Sequence, residues 1–195
     1  CVSKHLQTIV WQAQAAHIFD ISDIQAWNTG ITMSNFDHFI GTRPVAQQHL
    51  FDTEALSAWM AQHVAGFAGP LAVEMFKGGQ SNPTYQLITP QRSYVMRSKP
   101  GPVAKLLPSA HAIEREYAVM SGLAGTDVPV PQMLALCEDE AVIGRAFYIM
   151  EFMQGRVLWD QSLPDMQPHE RGAIYDEMNR VIAALHKVDF AAQGL

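Results

Sequence analysis

A carboxylate falls where a helix needs apolar side chains. Residues 109–125, SAHAIEREYAVMSGLAG, carry helical periodicity. At about 100° per residue, Ile113, Tyr117, Met120, Leu123 and Ala124 share one side. Glu116 lands inside that stripe, while Glu114 and Arg115 point away from it. A charge on a buried face is costly unless it is paired, so the fold has to bring a cation to Glu116. Arg97, at the end of the strand segment 93–97, is the expected partner. Lys99 and Lys105 compete from a proline-rich loop at 99–108, and Arg115 is the local alternative if Glu116 sits at the rim of the stripe. The helix must therefore pack against a strand that ends in a positive charge.

Around this helix the chain divides into short elements. Residues 51–67 predict a helix capped by Asp52 or Thr53, with Gly66 near its end. Residues 71–76, 84–89 and 94–97 predict three strands of an antiparallel meander, the first two joined by the loop 77–83. The extended linker 128–131 leads to two more strands, 131–137 and 146–153, around the acidic turn 138–140. A long helix is predicted over 168–187, with Pro168 in its first turn and Glu170 near its positive end. The expected class is α+β: a five-stranded antiparallel sheet with one helix inserted after the third strand, followed by the first helix of a helical unit. Residues 33–155 form the first unit and 156–195 begin the second. Residues 1–32 are either an ordinary N-terminal extension or upstream sequence ahead of a natural start at Met33.

Composition narrows the function classes. Hydrophobic residues make up 48% of the 195, enough for a sizeable core. The net charge of −6 is spread along the chain without a basic stripe, which argues against a nucleic-acid partner. No apolar run is long enough to cross a bilayer. The two cysteines, Cys1 and Cys137, do not form a disulfide framework, and a reduced, cytoplasmic chain is expected. The eight histidines lack ligand spacing, so no metal site is expected.

Three segments carry candidate chemistry. Gly78, Gly79, Gln80, Ser81 and Asn82 lie between two strands, where backbone amides of a glycine turn can converge on phosphate oxygens. A plain β-turn has the same composition. Val95 and Arg97 share one strand face, which would offer an apolar floor beside a cation. The apolar strand 146–153 runs into Gln154-Gly155 and resembles a hinge between kinase lobes. Backbone groups of Glu151, Phe152 and Met153 would there bond adenine, although a simple core strand reads the same way. A glycine loop, a strand ending in a cation and a helix with an inward Glu together outline a kinase nucleotide lobe. Asp189-Phe190-Ala191 and His169-Glu170-Arg171 look like kinase motifs but are misplaced: one follows a helix, the other is a helix's first turn.

The chain resembles the aminoglycoside phosphotransferase and choline-kinase-like family, and within it the branch associated with acyl-CoA dehydrogenases. The resemblance is carried by GTRPVA (41–46), FKGGQSNPTY (76–85), YVMRSKP (94–100), KLLPSAHAIEREY (105–117), GTDVPVP (125–131), IMEFMQGRV (149–157), IYDEMN (174–179) and LHKVDF (185–190). It implies a bilobal protein-kinase-like fold. In that fold Ser81 and its loop lie over the ATP phosphates, Arg97 takes the usual place of a strand lysine, Glu116 is its helix partner and 151–153 form the hinge. It further implies ATP and Mg²⁺ as cofactors and transfer of the γ-phosphoryl group to a small-molecule hydroxyl, on a hydroxyacyl-CoA-like acceptor. The family's His-Gly-Asp catalytic segment has no counterpart, because the chain contains no His-Gly dipeptide. No catalytic base or metal ligand is therefore assigned, and the chain by itself is expected to be an inactive portion of such an enzyme. The alternative is a non-catalytic nucleotide-binding or interaction module. The stripe Ile174, Met178, Val181, Ile182 and Leu185 on the last helix is expected to be exposed and to favour association.

Overall fold

Successive side chains of a strand point to opposite sides of the sheet, so each sheet face acquires its own character. In the computed structural model, which describes residues 39–78, 82–101 and 112–195, six antiparallel strands form one sheet. They are β1 Thr42–Arg43, β2 Ala72–Phe76, β3 Thr84–Ile88, β4 Ser93–Ser98, β5 Met133–Cys137 and β6 Phe147–Glu151. Their spatial order is β1-β2-β3-β4-β6-β5. The expected five strands are all present. The sixth, β1, is a two-residue edge strand that pairs Thr42 with Phe76 and Arg43 with Met75. Two residues carry no periodicity, and only the neighbouring strand reveals them. The extension 1–32, Met33, Lys105 and the proposed cap Ser109 lie outside the described residues.

One sheet face is closed by helix α1, Thr53–His63. The Asp52 carboxylate caps it, accepting from the Glu54 and Ala55 amides at 2.9 Å each. Beyond the helix Gly66 turns the chain at φ 73°, a left-handed conformation that glycine adopts without a Cβ clash. Leu56 and Met60 on α1 pack with Tyr85 and Leu87 of β3, Tyr94 and Met96 of β4, and Phe147 and Ile149 of β6. Trp59 meets the Phe147 ring edge-on, with centroids 4.9 Å apart. Arg145, buried just before β6, donates to the His49 carbonyl at 2.8 Å and so ties the turn Gln47–His49 to the sheet.

Helix α2, Ile113–Leu123, lies on the opposite face. Its inner residues Ile113, Met120 and Leu123 are buried, as the stripe predicts, but Ala124 falls beyond the last helical residue and is exposed. The chain forms two compact units whose boundary in this region falls between Phe152 and Met153. The sheet, α1 and most of α2 make up one. The other contains residues 122–130 and 153–195, including helix α3, Pro168–Lys187. Glu170 accepts from the Gln167 amide at 2.7 Å and closes the N-terminus of α3.

The α3 stripe departs from its expected exposure. Ile174 and Val181 are buried and Met178 and Leu185 are half-buried, which leaves Ile182 exposed. A helical stripe demands a packing surface, and most of this one has found it within the chain. No helix among the described residues is long and apolar enough to cross a membrane.

Leu56 is fully buried beneath the sheet. Leu56→Ala should therefore lower the unfolding free energy by about 2–5 kcal/mol through lost contacts and a residual cavity. Asp52→Ala should lower it by about 1 kcal/mol, and Ile182→Ala by less than about 0.5 kcal/mol. Urea denaturation followed by circular dichroism measures all three.

Candidate functional site

Tyr94 and Met96 belong to the core beneath α1, so Val95 and Arg97 project from the other face of β4. The register sets Arg97 opposite Thr84 on β3 and Tyr148 on β6, and Val95 opposite Gln86 and Met150. Directly opposed residues share a face. Two rows result, about 7 Å apart at the rise of an extended strand. Val95 and Met150 make an apolar row that Met133 of β5 continues. Thr84, Arg97 and Tyr148 make a polar row beside it.

Glu116 of α2 meets the polar row. Its Oε2 lies 2.9 Å from Arg97 Nε, and the two side chains are 11% and 13% exposed. The same oxygen accepts from the Tyr148 hydroxyl at 3.1 Å, and Oε1 accepts from Asn82 Nδ2 at 3.1 Å. Arg97 Nη1 donates to Thr84 Oγ1 at 3.3 Å. The inward carboxylate thus accepts two hydrogen bonds, from the loop base and β6, and forms an ion pair with Arg97 of β4 whose Nε lies close but is not aligned for a hydrogen bond. This is the condition under which a buried ion pair is tolerated. Arg115, the local alternative, is exposed. Lys99, the other competitor, pairs instead with Glu114.

Other candidates take different places. Asn82, expected as part of a phosphate-facing loop, is 1% exposed and turns its amide inward to Glu116. Gly78 is half-buried at the end of the first loop segment, and Gly79, Gln80 and Ser81 lie outside the described residues. The Glu151 amide is already donated to the Gln132 carbonyl at 2.9 Å, and its carboxylate accepts from the Gln132 amide at 2.8 Å. That N–H is therefore not available to a ligand, and the hinge reading rests on Phe152 and Met153. The two misplaced motifs are structural. Asp189 accepts from the Ala191 and Ala192 amides at 3.1 Å, and Glu170 caps α3.

Sequence reading missed Tyr148, Thr84 and Met150. Alternation places Tyr148 and Met150 on one face of β6, but the pairing of β6 with β4, across the 48 residues between them, is what aligns them with Arg97 and Val95. Among the described residues no three His, Cys, Asp or Glu side chains group as a metal site.

Burial pushes the Tyr148 phenol far above the ordinary tyrosine range, and the Glu116 carboxylate adds to this against a smaller opposing pull from Arg97. The folded protein keeps this proton where the unfolded chain, near pH 10, loses it. The contribution is whole below that pH and is lost as pH rises above it, at up to about 1.4 kcal/mol per pH unit. Tyr148→Phe should flatten the alkaline limb of a plot of stability against pH, measured by urea titration. In the same assay Glu116→Ala, which strands the Arg97 charge, should cost about 3–5 kcal/mol.

The phosphotransferase enzyme family matches residues 72–195. Mouse acyl-CoA dehydrogenase family member 10 is 44% identical over 155 residues, which cover 79% of this chain and 14% of that protein. Human acyl-CoA dehydrogenase family member 11 is 40% identical over 155 residues, covering 77% of this chain and 20% of that protein. A crystal structure of a protein from Ralstonia eutropha JMP134, provisionally assigned as an aminoglycoside phosphotransferase, shares 71% identity and a TM-score of 0.66, over 75% of this chain and 41% of that one. The chain thus spans a fifth or less of these curated relatives and under half of the solved chain. The family match runs from β2 through α3, and the solved relative shares this kinase-like α+β fold; the chain belongs to the phosphotransferase enzyme family.

Proposed function

We propose that the sheet face carrying Arg97 is the nucleotide side of an ATP-dependent phosphotransferase. The observation that supports this most directly is the Arg97–Glu116 pair, set on the same face as the apolar row of Val95 and Met150. In this reading Val95 and Met150 lie beneath the adenine ring. Backbone groups of Phe152 and Met153 meet its polar edge. Gly78 to Asn82 begin and end the loop proposed over the phosphates, with Gly79, Gln80 and Ser81 at its centre.

Arg97 then works as a divided cation. Its Nε faces Glu116 and its Nη1 faces Thr84, while Nη2 has no partner among the described residues. A planar guanidinium can hold a carboxylate on one edge and offer donors to phosphate oxygens on another, which a lysine ammonium does only through a single nitrogen. Phosphoryl transfer depends on such positioning and charge stabilisation. Mg²⁺ would share the phosphate charge in the whole enzyme, but no acidic cluster among the described residues fits it. The phosphoryl acceptor is proposed to be a small-molecule hydroxyl of the hydroxyacyl-CoA class. A reducing, cytoplasmic setting suits Cys137, a buried free thiol.

Isothermal titration of the chain with ATP and with adenosine tests the reading. Both should bind. Arg97→Lys should weaken ATP roughly 10-fold, the equivalent of one charge-assisted hydrogen bond, and leave adenosine unchanged. Failure of the unmodified chain to bind ATP, or an unchanged ATP affinity in the variant, would sink the assignment.

A further inference from the structure

We propose that Tyr148 and Asn82 are positioning residues of the nucleotide site: by holding both oxygens of Glu116, they orient the Arg97 guanidinium toward phosphate without touching the nucleotide themselves. The inference rests on the nucleotide reading above and extends it to Tyr148, which that reading does not use, and to the side chain of Asn82, which there only ends the loop.

The geometry carries it. Glu116 is met from three separate elements: it accepts hydrogen bonds from Asn82 at the base of the loop and Tyr148 on β6, and it pairs by charge with Arg97 on β4. Arg97 and Tyr148 share Oε2, so the hydroxyl holds the very oxygen that faces the guanidinium. Asn82 holds Oε1 and so stops the carboxylate from rotating about its last torsion. Arg97 is fixed at two points, Nε to Glu116 and Nη1 to Thr84. Two anchored atoms leave the planar group only rotation about the line that joins them, which narrows the directions open to Nη2. If either oxygen of Glu116 is released, one of those points loosens and Nη2 loses its direction.

Both helpers are themselves immobilised. Asn82 and Tyr148 are each 1% exposed, which keeps their polar groups from reaching a nucleotide. The Tyr148 ring lies beside that of Tyr117 on α2, with centroids 6.1 Å apart. Removal of its hydroxyl alone therefore leaves the packing in place. The phenol stays protonated throughout the physiological range and so always donates. Preorganised donors raise affinity by removing the ordering that binding would otherwise require.

The test uses the 195-residue chain with Tyr148→Phe and, separately, Asn82→Ala. Three quantities are read: the dissociation constants for ATP and adenosine by calorimetry, the melting temperature, and the exchange rate of the Arg97 Nε–H by NMR. Each variant should weaken ATP about 3- to 10-fold, in the range of one lost hydrogen bond, with adenosine unchanged and the Arg97 Nε–H exchanging faster. Asn82→Asp, which sets a second carboxylate against Glu116, should weaken ATP more than Asn82→Ala does. Variants that bind ATP like the parent chain overturn the positioning role alone. Equal loss of ATP and adenosine, in step with a lowered melting temperature, also overturns it, because that is what a purely structural role produces. Should one variant fail to fold, the other decides by the same criteria. A parent chain with a protected Arg97 Nε–H that binds neither ligand overturns the nucleotide reading itself, and the positioning role with it.

Discussion

One carboxylate organises this unit. Glu116 enters an apolar interface, and an ionised group there is tolerated only if its charge and its lone pairs are both met. Meeting them requires the α2 helix, the β4 and β6 strands and the base of the loop before β3 to converge within hydrogen-bonding distance. None of these partners is close to Glu116 in the chain. The pair is thus a constraint on tertiary arrangement: a small shift of α2 along the sheet would leave several buried polar groups unsatisfied together. Polar networks of this kind are weak contributors to net stability but strongly select one packing over its neighbours.

The two faces of the sheet divide the work. Beneath α1 the residues are large and apolar, and the side chains of β3, β4 and β6 interlock with Leu56 and Met60. On the other face the same strands present a mixed surface, with Val95 and Met150 in one row and Arg97 and Tyr148 in the next. The period of two allows one strand to build a core and a site at once. Rigidity comes from the first face. It places the second within the tolerances that charge recognition demands.

The use of arginine at position 97 fits this arrangement. Nε, Nη1 and Nη2 point in different directions from one plane, so the guanidinium can be anchored by the protein and still face outward. On the proposed nucleotide reading, a cation held by its own scaffold would need less reordering when phosphate charge arrives. Thr84, Asn82 and Tyr148 around the pair hold it in place through their hydrogen bonds.

Much of this was legible in the residues themselves. Helical spacing places Glu116 inside the stripe of Ile113, Met120 and Leu123, and strand alternation sets Val95 and Arg97 together; these are local periodicities, set by 3.6 and by 2 residues per repeat. Asp52 and Pro168 mark helix starts because capping acts within one turn. Strand order was not legible, since β6 enters between β4 and β5 from far along the chain. Nor was the two-residue β1, which exists only because β2 offers it an edge. The inward turn of Asn82, the use of the Glu151 amide by Gln132 and the burial of Ile174 and Val181 also had no local signature. A sequence determines which groups need partners, because that follows from each residue's chemistry and its local period. Which partner each one finds is decided only when distant segments pack, because hydrogen bonds and burial depend on distance in space and not on separation along the chain.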